Sequence, residues 1–239
     1  MTGSLKSPPM PAVTAIHLHP TAPLSERVLL PGDPGRALML AQTLLENPLM
    51  FNHNRGLWGY TGLAPDGEQL TIQATGMGGP SAAIVLTELI ALGARRAIRV
   101  GSCGALAEGM ELGELVIARE AICADGTSQA LGAGERASAD VELTGALEFH
   151  APQAHHGAVV SVDLFYESGP AGDGRDALAV EMEAASLFAL GSAHAVAVAC
   201  VLFVSDTFDA DGARHRIDPP SQASAAETVG RVAIAALSG

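Results

Sequence analysis

Arg99 lies in an apolar run, between Ile98 and Val100, where a guanidinium is costly to bury unless an anion pairs with it. The next four residues, Gly101, Ser102, Cys103 and Gly104, read as a turn. Its glycines let a ligand approach the backbone, and the Ser102 hydroxyl and the loop amides are donors of the sort that hold phosphate. A neighbouring carboxylate on Arg99 and a merely tight turn would account for the same stretch. Three more polar clusters follow apolar runs: Gly32-Asp33-Pro34-Gly35-Arg36, Glu181-Met182-Glu183 and Ser205-Asp206. A helix dipole alone would favour one of the two glutamates, and Asp206 could simply cap a loop. Four such clusters at strand ends together point to one ligand crevice, as in open α/β sheets.

To bring these clusters together the chain needs strands that run in step. Residues 27–30 form a short apolar strand; Asp33 can cap, and Pro34 can open, a helix with the stripe Leu38, Leu40, Ala41, Leu44 and Leu45. Residues 57–64 and 69–76 are predicted as a hairpin about Pro65-Asp66-Gly67. A helix over residues 81–92, closed by Gly93, delivers the chain to Arg99. The Gly76-Met77-Gly78 before it is a weak dinucleotide signal, because Pro80 stands in the turn and no acidic residue follows at the right strand end. Further strands are predicted at 113–121, 157–162 and 177–182, with helices over 141–150 and 183–190, the latter stopped by Gly191. A buried strand over 195–204 ends at Ser205-Asp206, and a final helix over 221–237 has Ser221 as its cap. Residues 125–138 read as a polar, Gly-rich surface excursion. The alternation predicts an α/β class with a largely parallel or mixed central sheet.

At 239 residues and 48% hydrophobic composition, the chain can bury one full core. A formal net charge of -13 disfavours nucleic acid and anionic membrane as partners. Lysine occurs only at Lys6, so a Walker-type lysine and a Schiff-base lysine are excluded, and an anion must meet arginine. Cys103, Cys123 and Cys200 form no C-x-x-C pair and fit reduced thiols in a cytoplasmic protein. Residues 1–15 read as a disordered tail without the apolar stretch of a signal peptide, and residues 16–239 as a single domain.

The motifs LLPGDPGRA, HNRGLWGYTG, TGMGGPSAA, IRVGSCGA, SVDLFY, VEMEAA and VSD occur in that order. Over nearly the whole chain from Arg27 onward they closely resemble the nucleoside phosphorylase family that includes hexameric bacterial purine nucleoside phosphorylase and uridine phosphorylase. The resemblance implies a three-layer fold with a central mixed sheet flanked by helices, and phosphorolysis of a nucleoside to free base and pentose 1-phosphate. It also implies a homo-oligomer, a hexamer built from dimers that share active sites. Gly32, Arg36, Arg99 and Ser102 match the family's phosphate ligands, and Arg55 the arginine donated to the same phosphate across a dimer interface. Glu183 matches the glutamate that binds the ribose hydroxyls, with Met182 packing on the sugar and Cys103 and Gly104 beside the nucleoside. Phe165 matches the aromatic against the base; Glu181, Ser205 and Asp206 match base-end residues. His17, or His19 beside it, looks like the histidine that a neighbouring subunit gives to the 5'-hydroxyl.

These roles suit the chemistry. Glycosidic cleavage builds positive charge on the sugar, which a phosphate held by arginines can stabilise and capture, while Asp206 as general acid gives a proton to purine N7. No cofactor is expected, inorganic phosphate being itself a substrate, and His150, His155 and His156 make no convincing metal set. The chain departs from the purine enzymes in having Ser224 near the place of an arginine in the final helix, which leaves Arg214 or Arg216 to activate Asp206. The loop over residues 167–175 is short and lacks the Gln-x-Arg pair with which uridine phosphorylases read uracil, which favours purine. A uridine phosphorylase, a hydrolytic nucleosidase and a purine-binding module without activity are the alternatives.

Overall fold

The computed structural model describes residues 14–166, 176–209 and 213–239. Strand β1 (Arg27–Leu30) turns through Asp33 into helix α1 (Pro34–Leu44), and the Asp33 carboxylate accepts from the amides of Gly35 and Arg36 as the cap the sequence predicts. An antiparallel meander follows, β2 (Glu46–Asn52), β3 (Gly59–Leu63) and β4 (Gln69–Gln73), of which the hairpin was expected and β2 was not. Next come α2 (Gly79–Leu92), β5 (Arg96–Ala105), β6 (Leu115–Ala124), α3 (Gly126–Ala130), β7 (Arg136–Ser138) and α4 (Val141–His150). The chain ends with β8 (His155–Val162), β9 (Ala177–Glu181), α5 (Ala184–His194), β10 (Ala197–Phe208), β11 (Arg214–Arg216) and α6 (Pro219–Leu237).

The strands form one mixed sheet, and at one end it closes on itself. Strand β10 pairs with β5 in parallel on one side and with β6 antiparallel on the other, while β6, β8, β9 and β5 are joined in that order. The result is a five-stranded ring from which β1, β4, β3 and β2 extend as a wing. Both faces are covered. Along β10, Val198, Cys200, Leu202 and Val204 belong to the core under α2 and α5, and the alternate Ala199, Val201 and Phe203 to the core under α1, α4 and α6. That double burial explains the near-continuous apolar run. Among the described residues no helix is long and apolar enough to cross a membrane.

Several local expectations are corrected. Residues 101–104 are not a turn: β5 runs straight through them, with Gly101 opposite Leu202 and Cys103 opposite Val204. Gly191 does not stop its helix but lies inside α5, where a methyl group would come within 2.6 Å of Val198. The helix ends at Ala195, in the left-handed region at φ 52°. Residues 125–138 are not all surface: Asp125 caps α3 from a fully buried position and also accepts from the Ser186 hydroxyl at 2.9 Å. Helix α6 is capped by Asp218 and not by Ser221, which is instead the residue whose amide Asp218 accepts. Strand β10 continues past Ser205-Asp206 to Phe208 because β11 returns beside it. Residues 1–13 of the expected tail and the loop at 167–175 lie outside the described residues.

Candidate active site

Strand β5 pairs with β1 only as far as Leu30 opposite Arg99, and it meets β9 only from Gly104 opposite Val180. Residues 100–103 therefore have β10 on one side and a notch on the other, the kind of switch in strand pairing at which α/β sheets bind ligands. A cavity of about 1110 Å³ opens at this notch. It is lined by every expected site residue except His17.

At one end Arg99 is buried and paired twice: Nε donates to Glu181 Oε2 at 2.9 Å, and Nη2 lies 2.5 Å from Glu183 Oε2. The neighbouring-carboxylate account of this arginine is thus realised, alongside the cavity. Burial opposes the charge, but Glu183 and Glu181 outweigh it and hold the guanidinium's pKa above its ordinary value. Gly101 is glycine for a geometric reason. A Cβ there would stand 2.9 Å from Arg99 Cζ, so the guanidinium folds over the bare Cα.

Glu181 accepts from Arg99, from the Ser161 hydroxyl and from the amides of Glu183 and Ala184. Its carboxylate is an anchor beneath Arg99 and the N-terminus of α5, not a free group at the base end. Burial raises its pKa, against the pull of Arg99. Glu183 Oε1 accepts from the Gly78 amide at 2.6 Å, which ties the loop before α2 to the same point. Gly78 has φ 84°, a conformation open to glycine.

Three donors that line the cavity are unspent. Half-buried Arg36 has its pKa lowered by burial, stands 5.1 Å over the Phe203 ring and makes no side-chain hydrogen bond among the described residues. The Ser102 hydroxyl and exposed Arg55 likewise have no partner there. Arg55 sits in a single tight turn at φ 57° and lines the cavity of its own chain.

At the other end, on β10, Asp206 is buried and held by its neighbours. The Ser205 hydroxyl lies 2.6 Å from Oδ2, and Arg214 Nε donates to Oδ1 at 2.8 Å. Arg216 stands farther off, at 3.8 Å, so of the two arginines left open by the sequence Arg214 makes the direct bond. Arg214 also lies 4.4 Å over the ring of Phe165. Cys103 is buried between the ends, and burial pushes its thiol well above the ordinary range, which keeps it from serving as a thiolate nucleophile.

His17 lies away from this cavity. Its Nδ1 is 2.7 Å from Glu88 Oε1, and Glu88 also accepts the amides of Ile16, His17 and Leu18. The His19 ring is turned back onto the Ile16 carbonyl at 3.0 Å. Sequence reasoning overlooked Glu88; the signal was a carboxylate in an otherwise apolar helix.

The phosphorylase superfamily model matches residues 26–238. Among curated relatives, the DeoD-type purine nucleoside phosphorylase of Jannaschia sp. (strain CCS1) is 37% identical over 194 residues, 77% of this chain and 82% of the relative. The protein of the same name from Geobacillus kaustophilus (strain HTA426) is 33% identical over 202 residues, 78% and 83% of the two chains. Among solved structures, uridine phosphorylase from Vibrio fischeri ES114 in complex with 6-hydroxy-1-naphthoic acid is 28% identical, with a TM-score of 0.75 over 90% of each chain. With a family match that runs from the residue before β1 to the end of α6, the chain belongs to the phosphorylase superfamily.

Proposed function

We propose that this chain is a purine-nucleoside phosphorylase, transferring the pentose of purine ribo- and deoxyribonucleosides to phosphate in purine salvage. The observation that carries the reading is the make-up of one cavity, which is lined by Arg99, by the unspent Arg36, Arg55 and Ser102, and by the Asp206 carboxylate. The names of the relatives at 33–37% identity agree with it.

In this reading Gly32, Arg36, Arg55, Arg99 and Ser102 take the phosphate, Arg99 through the N–H groups its two glutamates leave over. Glu183 receives the ribose hydroxyls, Met182 packs on the sugar, and Phe165 stands by the base. The C1'–N9 bond breaks with its electron pair going to the base. Positive charge on the sugar is met by the phosphate dianion, whose oxygen closes on C1', and Asp206 passes a proton to N7. The reaction asks for no cofactor. His17 completes the site of a neighbouring subunit in a cytoplasmic hexamer built from dimers.

A uridine phosphorylase is the second reading, favoured by the solved structures of that name. A panel of inosine, adenosine and uridine, each with and without phosphate, tests both. Phosphate-dependent release of purine and pentose 1-phosphate is expected. Base release without phosphate, or turnover of uridine alone, would overturn the proposal.

A further inference from the structure

The hairpin of β10 and β11 carries charges that the reaction above does not use. Its register sets Asp206 opposite Arg216 and Phe208 opposite Arg214. Residues two apart on a strand share a face, so both arginines arrive on the side of Asp206, and all three line the cavity. Arg214 is fixed from two directions, by Asp206 Oδ1 at 2.8 Å and by the Phe165 ring at 4.4 Å. Among the described residues its terminal nitrogens make no hydrogen bond, and neither does Arg216. The carboxylate, by contrast, already receives Arg214 on one oxygen and Ser205 on the other. Beyond the carboxylate, the charged side chains at this end of the cavity present N–H.

A purine shows N7 and the substituent on C6 along one edge. In a 6-oxopurine both are acceptors, the pattern a guanidinium reads; in a 6-aminopurine the C6 group is a donor and calls for an acceptor. We propose that Arg214, backed by Arg216, makes this cavity selective for 6-oxopurine nucleosides over 6-aminopurine nucleosides. This rests on the phosphorylase reading and narrows its substrate. The carbonyl at C6 takes a guanidinium N–H beside the N7 that Asp206 protonates, whereas an amino group there faces the guanidinium's donors and has to share the Asp206 oxygens with Arg214 and Ser205.

The test is kcat/KM for inosine, adenosine and uridine in the wild type and in Arg214→Gln, Arg214→Lys and Arg216→Gln, with calorimetric binding of hypoxanthine and adenine to the same proteins. The wild type should favour inosine over adenosine by roughly tenfold or more. Arg214→Gln should bring that ratio near one, mainly by loss on inosine; Arg214→Lys, which keeps charge but not the planar fork, should fall between, and Arg216→Gln should do less. A wild-type ratio of one or below, a preference for uridine, or an equal fall on both purines in Arg214→Gln would overturn the proposal. The calorimetry keeps it apart from the phosphorylase reading. Hypoxanthine bound in preference to adenine by a protein that turns over no nucleoside supports the selectivity and sinks the reaction; phosphorolysis with adenine bound equally well does the reverse.

Discussion

Both ends of the cavity set arginine against carboxylate, and they differ in what is left over. At the β5–β9 end Arg99, Glu181 and Glu183 are all buried, and one guanidinium serves two acids whose oxygens also hold backbone amides. At the β10–β11 end Asp206 is as deeply buried, but the side chains of Arg214 and Arg216 are 33% and 58% exposed. A buried triad cannot shift one member without stranding the charge of another, so the first end is fixed before any ligand arrives. The hairpin end carries its spare donors near water, where a change of partner costs less. In the proposed reaction, rigid geometry thus stands where the phosphate would be aimed, and adaptable donors where bases would differ.

The sharpest way to break this comparison is Arg99→Ala. It removes the arginine proposed to hold phosphate and leaves Glu181 and Glu183 buried without their cation, so a loss of about 3–5 kcal/mol in urea unfolding should accompany the loss of phosphorolysis. The double variant with Glu181→Gln should regain part of the stability and none of the activity. A fully stable Arg99→Ala would show that the triad is not the rigid end. Asp206→Asn should lower kcat/KM for inosine by about 10²–10⁴ and leave 7-methylguanosine, whose base needs no proton, nearly unchanged. An equal fall on both substrates would assign Asp206 to geometry and not to proton transfer.

A smaller effect is expected at Gly101→Ala, whose methyl group would meet Arg99 Cζ at 2.9 Å and Leu202 at 3.0 Å. The displaced guanidinium should raise KM for phosphate about tenfold and cost roughly 1–3 kcal/mol, while base binding holds. The smallest effect belongs to a control away from both ends. Hydrogen bonds from Arg27, aided by Ser238 against a partial desolvation, hold the Asp66 carboxyl well below the ordinary range. A group whose folded pKa is depressed stabilises above its unfolded value, about pH 4, and loses that contribution as the pH falls. Asp66→Asn should therefore lower Tm slightly at pH 7, by an amount worth under about 1 kcal/mol, with the gap closing in thermal melts taken below pH 4.

Local signals carried much of the fold. The Asp33-Pro34 cap, the hairpin about Pro65-Asp66-Gly67 and the helix Val141–His150 each rest on contacts within a few residues, and they are where the sequence puts them. What the sequence could not resolve depends on distant partners. Gly101 and Gly104 look like turn residues, yet one makes room for a guanidinium on its own strand and the other for Val180 across the sheet. Gly191 imitates a helix stop because Val198 needs the space. In the site, Arg99 and Asp206 were legible as charges in apolar surroundings. That Arg99 would be shared by two glutamates depends on where β9 lands, and that Arg214 would outrank Arg216 depends on how the two side chains lie, since the hairpin register sets Arg216 opposite Asp206 and yet Arg214 makes the closer bond.

The ring of strands has a consequence for how the chain is made. Its closing member, β10, lies between β5 and β6 and is nearly the last element in the chain. While a nascent chain is still short of Ala197–Phe208, β5 and β6 each present a bare edge to other chains, and closing so long a loop is slow. Closure therefore comes late in synthesis, and fragments cut before β10 should collect as aggregates and not as a smaller folded unit.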